Sequence, residues 1–165
     1  MNERLLQFIW KYKLWDTGKS LVTTEGEPIT VVNTGSLNQH AGPDFINARI
    51  RIRDTVWAGS IELHVKSSDW NKHKHQDDPN YTKLILHVVY EYDKPIQTND
   101  GSYFPTLALA PFIRESQRQH YTTFLQDKHP FPCHLFIASL STLILYQQYD
   151  RVLTERLESK IQHIQ

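Results

Sequence analysis

The sequence predicts an α/β chain of the α+β kind: a mixed, largely antiparallel sheet flanked by helices, with a helical C-terminal segment. Three observations predict it. Residues 45–53, "FINARIRIR", and 57–66, "WAGSIELHVK", alternate apolar and polar side chains with the period of two that half-buried strands require. Residues 83–93, "KLILHVVYEYD", are almost continuously apolar, as a strand buried on both faces is. Residues 2–15 place Leu5, Phe8, Ile9 and Tyr12 on one helical stripe, which Leu6, Trp10 and Leu14 broaden.

The elements then follow in order. Asp16-Thr17-Gly18 ends the first helix. "SLVTTEGEPITVVN" reads as a hairpin turning near Glu25-Gly26-Glu27, and "TGSLNQHAGP" as a loop. In the first long strand Ile46, Ala48, Ile50 and Ile52 take the apolar face, opposite Asn47, Arg49, Arg51 and Arg53. In the second, Trp57, Ile61, Leu63 and Val65 take it, opposite Ser60, Glu62, His64 and Lys66. Asp54-Thr55 turns between them. "SSDWNKHKHQDDPNYT" is a polar loop with room for a helical turn that Ser68 or Asp69 would cap. "GSYFPTLAL" supplies a further strand and "PFIRESQRQHYTTFLQDK" a helix. The expected organisation is a core domain over 1–130 and a helical segment over 131–165, the opening of a longer region. Leu153, Leu157, Ile161 and Ile164 give that segment an apolar stripe, which would pack on the domain, on a second copy or on a further C-terminal region.

Bulk properties bound the function. A hydrophobic content of 39% favours a folded chain over a disordered one. Eighteen basic and eighteen acidic residues cancel, so a nucleic-acid partner would need a local basic patch. Cys133 is the one cysteine, which excludes an intramolecular disulfide; it reads as a small buried residue. The N-terminal stretch has Gln7, Lys11 and Lys13 among its apolar residues and lacks a signal-peptide core. Residues 135–146 are too short an apolar run to span a bilayer. A cytoplasmic protein is expected.

The stretches "AGPDFINARIRI", "WAGSIELHVKSSDWNKHKH", "DPNYTKLILHVVYEYD" and "FPCHL…DRVLTERLESK" resemble a bacterial family known as domain of unknown function 2851, across most of the chain. That family carries no established activity. Its usual members are longer, so the chain resembles their N-terminal part. Pro43-Asp44 followed by Glu62-Leu63-His64 also resembles the PD-(D/E)XK nuclease pattern, in which an acid begins one strand and a second acid plus a lysine lie on the next. By that resemblance Asp44 and Glu62 would hold a divalent metal. His64 stands where the lysine is expected, and Lys66 lies two residues on.

Two carboxylates on neighbouring strands suit Mg²⁺ or Mn²⁺, which would polarise a phosphoryl oxygen and help ionise a water. Glu62, His64 and Lys66 share a strand face, which an antiparallel sheet can equally turn to solvent. Register decides whether Asp44 joins them. A two-residue turn at Asp54-Thr55 pairs Arg53 with Val56 and sets Asp44 opposite Val65, on the apolar side. A one-residue bulge or a three-residue turn would return Asp44 to the side of Glu62.

His73, His75 and the nearby Asp77 and Asp78 make a competing set suited to zinc, though their spacing matches no tight motif and also describes a hydrophilic loop. His40 borders the Gly-Pro turn. His87 reads as a hydrogen-bonded core histidine. Trp57 reads as core, and Trp70 either stacks on a base or covers the sheet. Arg49, Arg51 and Arg53 form a stripe for phosphates or a solvated edge. Glu3 is a third acid if its helix packs over the site, and otherwise favours the helix N-terminus. The leading expectation is a metal-dependent PD-(D/E)XK-like nuclease, with Asp44, Glu62, His64 and Lys66 catalytic and Arg49, Arg51 and Trp70 binding nucleic acid. The alternatives are a non-catalytic binding or assembly module and a histidine-based metal hydrolase.

Overall fold

Asn2 starts the first helix, α1 (Glu3–Lys11), its side-chain oxygen accepting from the Leu5 N–H at 2.9 Å. That bond satisfies one of the donors a helix N-terminus leaves open. The computed structural model describes residues 1–97, 101–126, 137 and 139–162. It ends α1 well before Asp16. Lys13 turns left-handed (φ 52), and the N–H groups of Lys13 and Leu14 reach back to the carbonyls of Trp10 and Ile9. This Schellman stop pre-empts the turn residues downstream. Leu5, Leu6, Ile9 and Trp10 are buried, whereas Phe8 and Tyr12 are exposed and contact each other at 4.8 Å.

Among the described residues seven strands form one sheet in the order β1-β2-β4-β5-β6-β7, with β3 also on β4. β1 (Leu21–Val22) and β2 (Pro28–Asn33) make the expected hairpin, with Gly26 left-handed at its turn. β3 (Ser36–Leu37) is a short strand inside the stretch expected to be a loop. β4 (Phe45–Ile52) pairs antiparallel with β2 and with β5 (Thr55–Lys66). β6 (Leu84–Glu91) lies parallel between β5 and β7 (Thr106–Ala108). The sheet is thus mixed and mostly antiparallel, and its apolar run 83–93 supplies an interior strand.

A parallel pair needs a crossover. Here it contains α2 (Asp69–Lys72) and 3₁₀ turns at His75–Asp77 and Pro79–Lys83. Ser68 precedes α2 without a side-chain cap bond; the Asp69 carboxylate instead accepts from the Lys66 N–H at 3.0 Å and pairs with Lys72. The buried Ser67 hydroxyl accepts from the N–H groups of Asp93 and Lys94 at 3.1 Å, tying the end of β5 to the segment after β6.

The β4–β5 hairpin turns at Arg53-Asp54, one residue earlier than expected, so that Ile52 faces Thr55 and Arg51 faces Val56. Left-handed Arg53 (φ 51) makes that tight turn possible. Further along, Phe45 pairs with Ile61 and Ala48 with Gly59, so Ile46 and Asn47 together oppose Ser60. This is a β-bulge, with Asn47 left-handed at φ 57. It puts Phe45 into the core and leaves Ile46, expected inside, exposed. Trp57 is also exposed, at 49%, because β6 pairs with β5 only from Ser60 onward and leaves that end of the hairpin uncovered.

The chain divides into two compact units, Met1–Gln119 and His120–Gln165. The first holds the sheet, with Phe45, Ile50, Ile61, Leu63, Leu86 and Leu107 fully buried. α3 spans Glu115–Gln126. In the second unit, α4 (Thr142–Gln162) exposes Leu143, Tyr149, Leu153, Leu157 and Ile161. Cys133 and Ile164 lie outside the described residues.

The bulge makes a testable demand on Asn47. Asparagine tolerates a left-handed backbone, whereas a β-branched residue there should cost about 1–2 kcal/mol. Asn47→Val is expected to lower stability by about that amount in urea unfolding, and Asn47→Gly to leave it near wild type. Equal stability of the two variants would show that no bulge holds this position.

Candidate metal centre

The bulge places Asp44 beside Glu62. Counting back from the Phe45–Ile61 pair sets Asp44 opposite Glu62, on the same face. Two bonds fix the pair: the Asp44 N–H donates to Glu62 Oε2 at 2.9 Å, and the Leu63 N–H donates to Asp44 Oδ2 at 3.0 Å. Gln7 of α1 holds the other Asp44 oxygen at 2.8 Å. The preceding bend is pinned by Asn38, whose side-chain amide donates to the carbonyls of Ala41 and Pro43.

Glu62 and His64 are buried, at 5% and 1% exposure, so this stretch of β5 is no solvated face. The crossover covers it. Trp70 of α2 is buried among Tyr81, Phe104 and Ile96 and packs against the rings of His64, His75 and His87. A tryptophan so enclosed offers no stacking surface to a nucleobase; its role is to press the crossover onto the sheet. That packing carries His73 and His75 over β5.

Three imidazoles and a carboxylate therefore converge. His64 Nε2 lies 3.1 Å from His73 Nδ1 and 3.7 Å from Glu62 Oε1. His75 Nε2 lies 3.2 Å from the same Glu62 oxygen. That nitrogen is buried and makes no directed hydrogen bond despite the short distance. Ligand atoms of His64, His73 and His75 all fall within 4.8 Å of one another. These three residues could hold a metal ion. His64 is buried, His75 half-buried and His73 exposed, and imidazole nitrogens gathered beside a carboxylate are the donor chemistry of a borderline divalent cation.

Charge points the same way. Burial and the Glu62 charge raise Asp44 to about 7, against the hydrogen bonds from Leu63 and Gln7. Burial also raises Glu3, opposed by His73; α1 thus brings a third acid within electrostatic range of the site. Burial, with the neighbouring rings of His87, His75 and His73, lowers His64 to about 2. Burial lowers His87 to about 3. Both imidazoles are neutral near pH 7, the state in which a ring nitrogen can bind a metal.

Other sequence candidates lie apart. Lys66 is exposed and pairs with Glu91 at 3.6 Å, so it brings no positive charge to the acids. Asp77 is exposed and lies outside the histidine group, its carboxylate accepting from Gln76. His40 is exposed, its N–H bonded to Asn38. Arg49 and Arg51 are exposed on the Glu62 face of the hairpin, opposite Ala58 and Val56, while Arg53 pairs with Glu27. His87, mid-strand in β6 and fully buried, bonds through Nε2 to His64 Nδ1 at 2.8 Å. The histidine interrupting the apolar run 84–89 was the sequence signal for it. Trp70, a lone large apolar residue in a polar stretch, was the signal that the crossover folds inward.

The fold and site define an α+β protein whose sheet and crossover enclose a histidine-rich centre able to take a metal. Residues 3–165 match the family described as protein of unknown function (DUF2851), and the chain belongs to it. Comparison with curated proteins and with solved structures returns no match. Among the described residues no helix is long and apolar enough to cross a membrane.

The shifts give a pH test on metal-free protein. An unfolded aspartate ionises near 3.8, but Asp44 stays protonated to about 7, so its contribution to stability falls as pH rises through that window. His64 and His87 act oppositely: the unfolded rings take up protons below about 6.5 and the folded rings do not, so stability falls on acidification. In urea unfolding with chelator, the stability of Asp44→Asn relative to wild type should rise from pH 4 to about 7 and then level. A difference independent of pH would contradict the Asp44 environment.

Proposed function

We propose that the protein is a divalent-metal-dependent phosphodiester hydrolase acting on nucleic acid, with its acids arranged as in PD-(D/E)XK nucleases. One observation carries the reading. Asp44 at the start of β4 and Glu62 on β5 meet through the bulge, and the second Glu62 oxygen faces His64 and His75. The leading helix, with Glu3 near the site, and the acid-x-histidine order on β5 support the same arrangement.

Glu62, His64, His73 and His75 would hold the ion, and three nitrogens beside one carboxylate favour Zn²⁺ or Mn²⁺ over Mg²⁺. When bound, such an ion polarises a phosphoryl oxygen and lowers the pKa of a water. The chain's own residues do the rest. Gln7 and the Leu63 N–H hold the Asp44 carboxyl in one orientation, and that carboxyl can carry or accept a proton near neutrality. Trp70 and Tyr81 pack around His75 and fix its ring. Arg49 and Arg51 lie four and six residues along the hairpin from the Glu62 level, about 14 and 20 Å at strand rise, and would bind flanking phosphates.

A second reading, a binding or assembly module, draws on the exposed apolar side chains of α4, which would pack on a second copy or on a further C-terminal region. It is compatible with a metal centre in the other unit.

Cleavage of mixed-sequence DNA and RNA with Mn²⁺ or Zn²⁺ tests the proposal. Glu62→Ala and His73→Ala should each lose at least about 100-fold in rate, and chelator should abolish the activity. Equal rates in wild type and Glu62→Ala would sink the nuclease assignment. Separately, Arg49→Ala and Arg51→Ala should raise KM with little change in kcat and each reduce the salt dependence of binding by about one unit of slope. An unchanged slope would remove the arginine stripe from the substrate path.

A further inference from the structure

We propose that His87 is a positioning residue that sets the tautomer of His64, accepting the His64 Nδ1 proton so that the Nε2 lone pair faces Glu62, His73 and His75. The inference rests on the metal reading above.

His87 occupies a position where an apolar side chain would pack more cheaply. It is fully buried in β6 between Leu86 and Val88, on a strand flanked by β5 and β7. Its Nδ1 is buried without a hydrogen-bond partner, and its Nε2 lies 2.8 Å from His64 Nδ1. Burying an imidazole with one nitrogen unsatisfied is destabilising, because that nitrogen gives up its bonds to water and gains none. What the ring gives in return is a single bond, and that bond ends on His64. The parallel register pairs Glu62 with His87, so the two residues stand on one face of adjacent strands.

The three rings form a line: His87 Nε2 to His64 Nδ1, then His64 Nε2 to His73 Nδ1 at 3.1 Å. A neutral imidazole has one N–H, so only two arrangements of the first bond exist. If His87 donates, His64 keeps its proton on Nε2, aims it at His73 and has no lone pair for a cation. If His64 donates, Nε2 is free to bind and His87 carries its proton on the enclosed Nδ1. Only the second arrangement accepts a metal. Going from the first to the second, one proton leaves His64 Nε2, one crosses from His87 Nε2 to His64 Nδ1, and one is taken up at His87 Nδ1. Both rings stay neutral throughout. Hydrogen bonds of this outer kind commonly fix the orientation and tautomer of metal-binding histidines.

Zinc titration and ¹⁵N NMR of the imidazoles test this on wild type, His87→Gln and His87→Leu. Zinc-loaded wild type should show His64 protonated at Nδ1 and bound through Nε2. His87→Leu should bind zinc 10–100-fold more weakly. His87→Gln, whose amide oxygen reaches the position of the imidazole Nε2, should recover most of that loss. Zinc-loaded His64 protonated at Nε2, or a folded His87→Leu protein binding as tightly as wild type, would overturn the assignment. Should His87→Leu not fold, the wild-type tautomer and His87→Gln decide the matter. Wild type that binds no zinc would defeat the metal reading itself, and the His87 role with it. Tight binding indifferent to His87 defeats only the latter.

Discussion

The bond from the Asp44 N–H to Glu62 Oε2 is the link on which the site depends, and it exists because β4 carries one extra residue. Without the bulge at Ile46-Asn47, alternation would send Asp44 to the opposite face from Glu62. With it, Phe45 enters the core and Asp44 turns to the acid. The same local shift therefore packs the sheet and assembles the site. Gln7 extends the link to α1, so the first helix, the hairpin and the crossover all meet at one pair of carboxyls.

Such a site is costly in the metal-free protein. Buried carboxyls repel one another, buried imidazoles resist protonation, and His75 faces Glu62 without a directed bond. A cation would relieve these costs together: it neutralises the acids and uses the lone pairs of the imidazoles, of which the His75 ring is packed by Trp70 and Tyr81. The stabilising packing comes from the apolar residues behind the site, Leu63, Leu86 and Leu107 among them.

Much of the fold was legible because period is a strong signal. The alternation in 45–53 and 57–66 and the apolar run 83–93 became β4, β5 and β6. The bulge was legible only as an option, since Asn47 is an ordinary strand residue until the tertiary fit turns its backbone left-handed. α1 stopped short because Lys13 accepts a conformation that the apolar stripe does not report. Glu62 and His64 read as a polar face because burial by the crossover is a long-range event. His73 and His75 belong with His64, a strand residue, rather than with Asp77, their neighbour in sequence. The carboxylate that lies against this group is Glu62, which the strand register brings there.

The most direct measurement is the anomalous diffraction of crystals of the full chain soaked in zinc, recorded at the zinc edge. One strong peak is expected, bonded to Glu62, His64, His73 and His75, with Asp44 still held by Gln7 and the Leu63 N–H. A peak bonded elsewhere, or none at a zinc concentration that saturates binding in solution, would contradict that assignment.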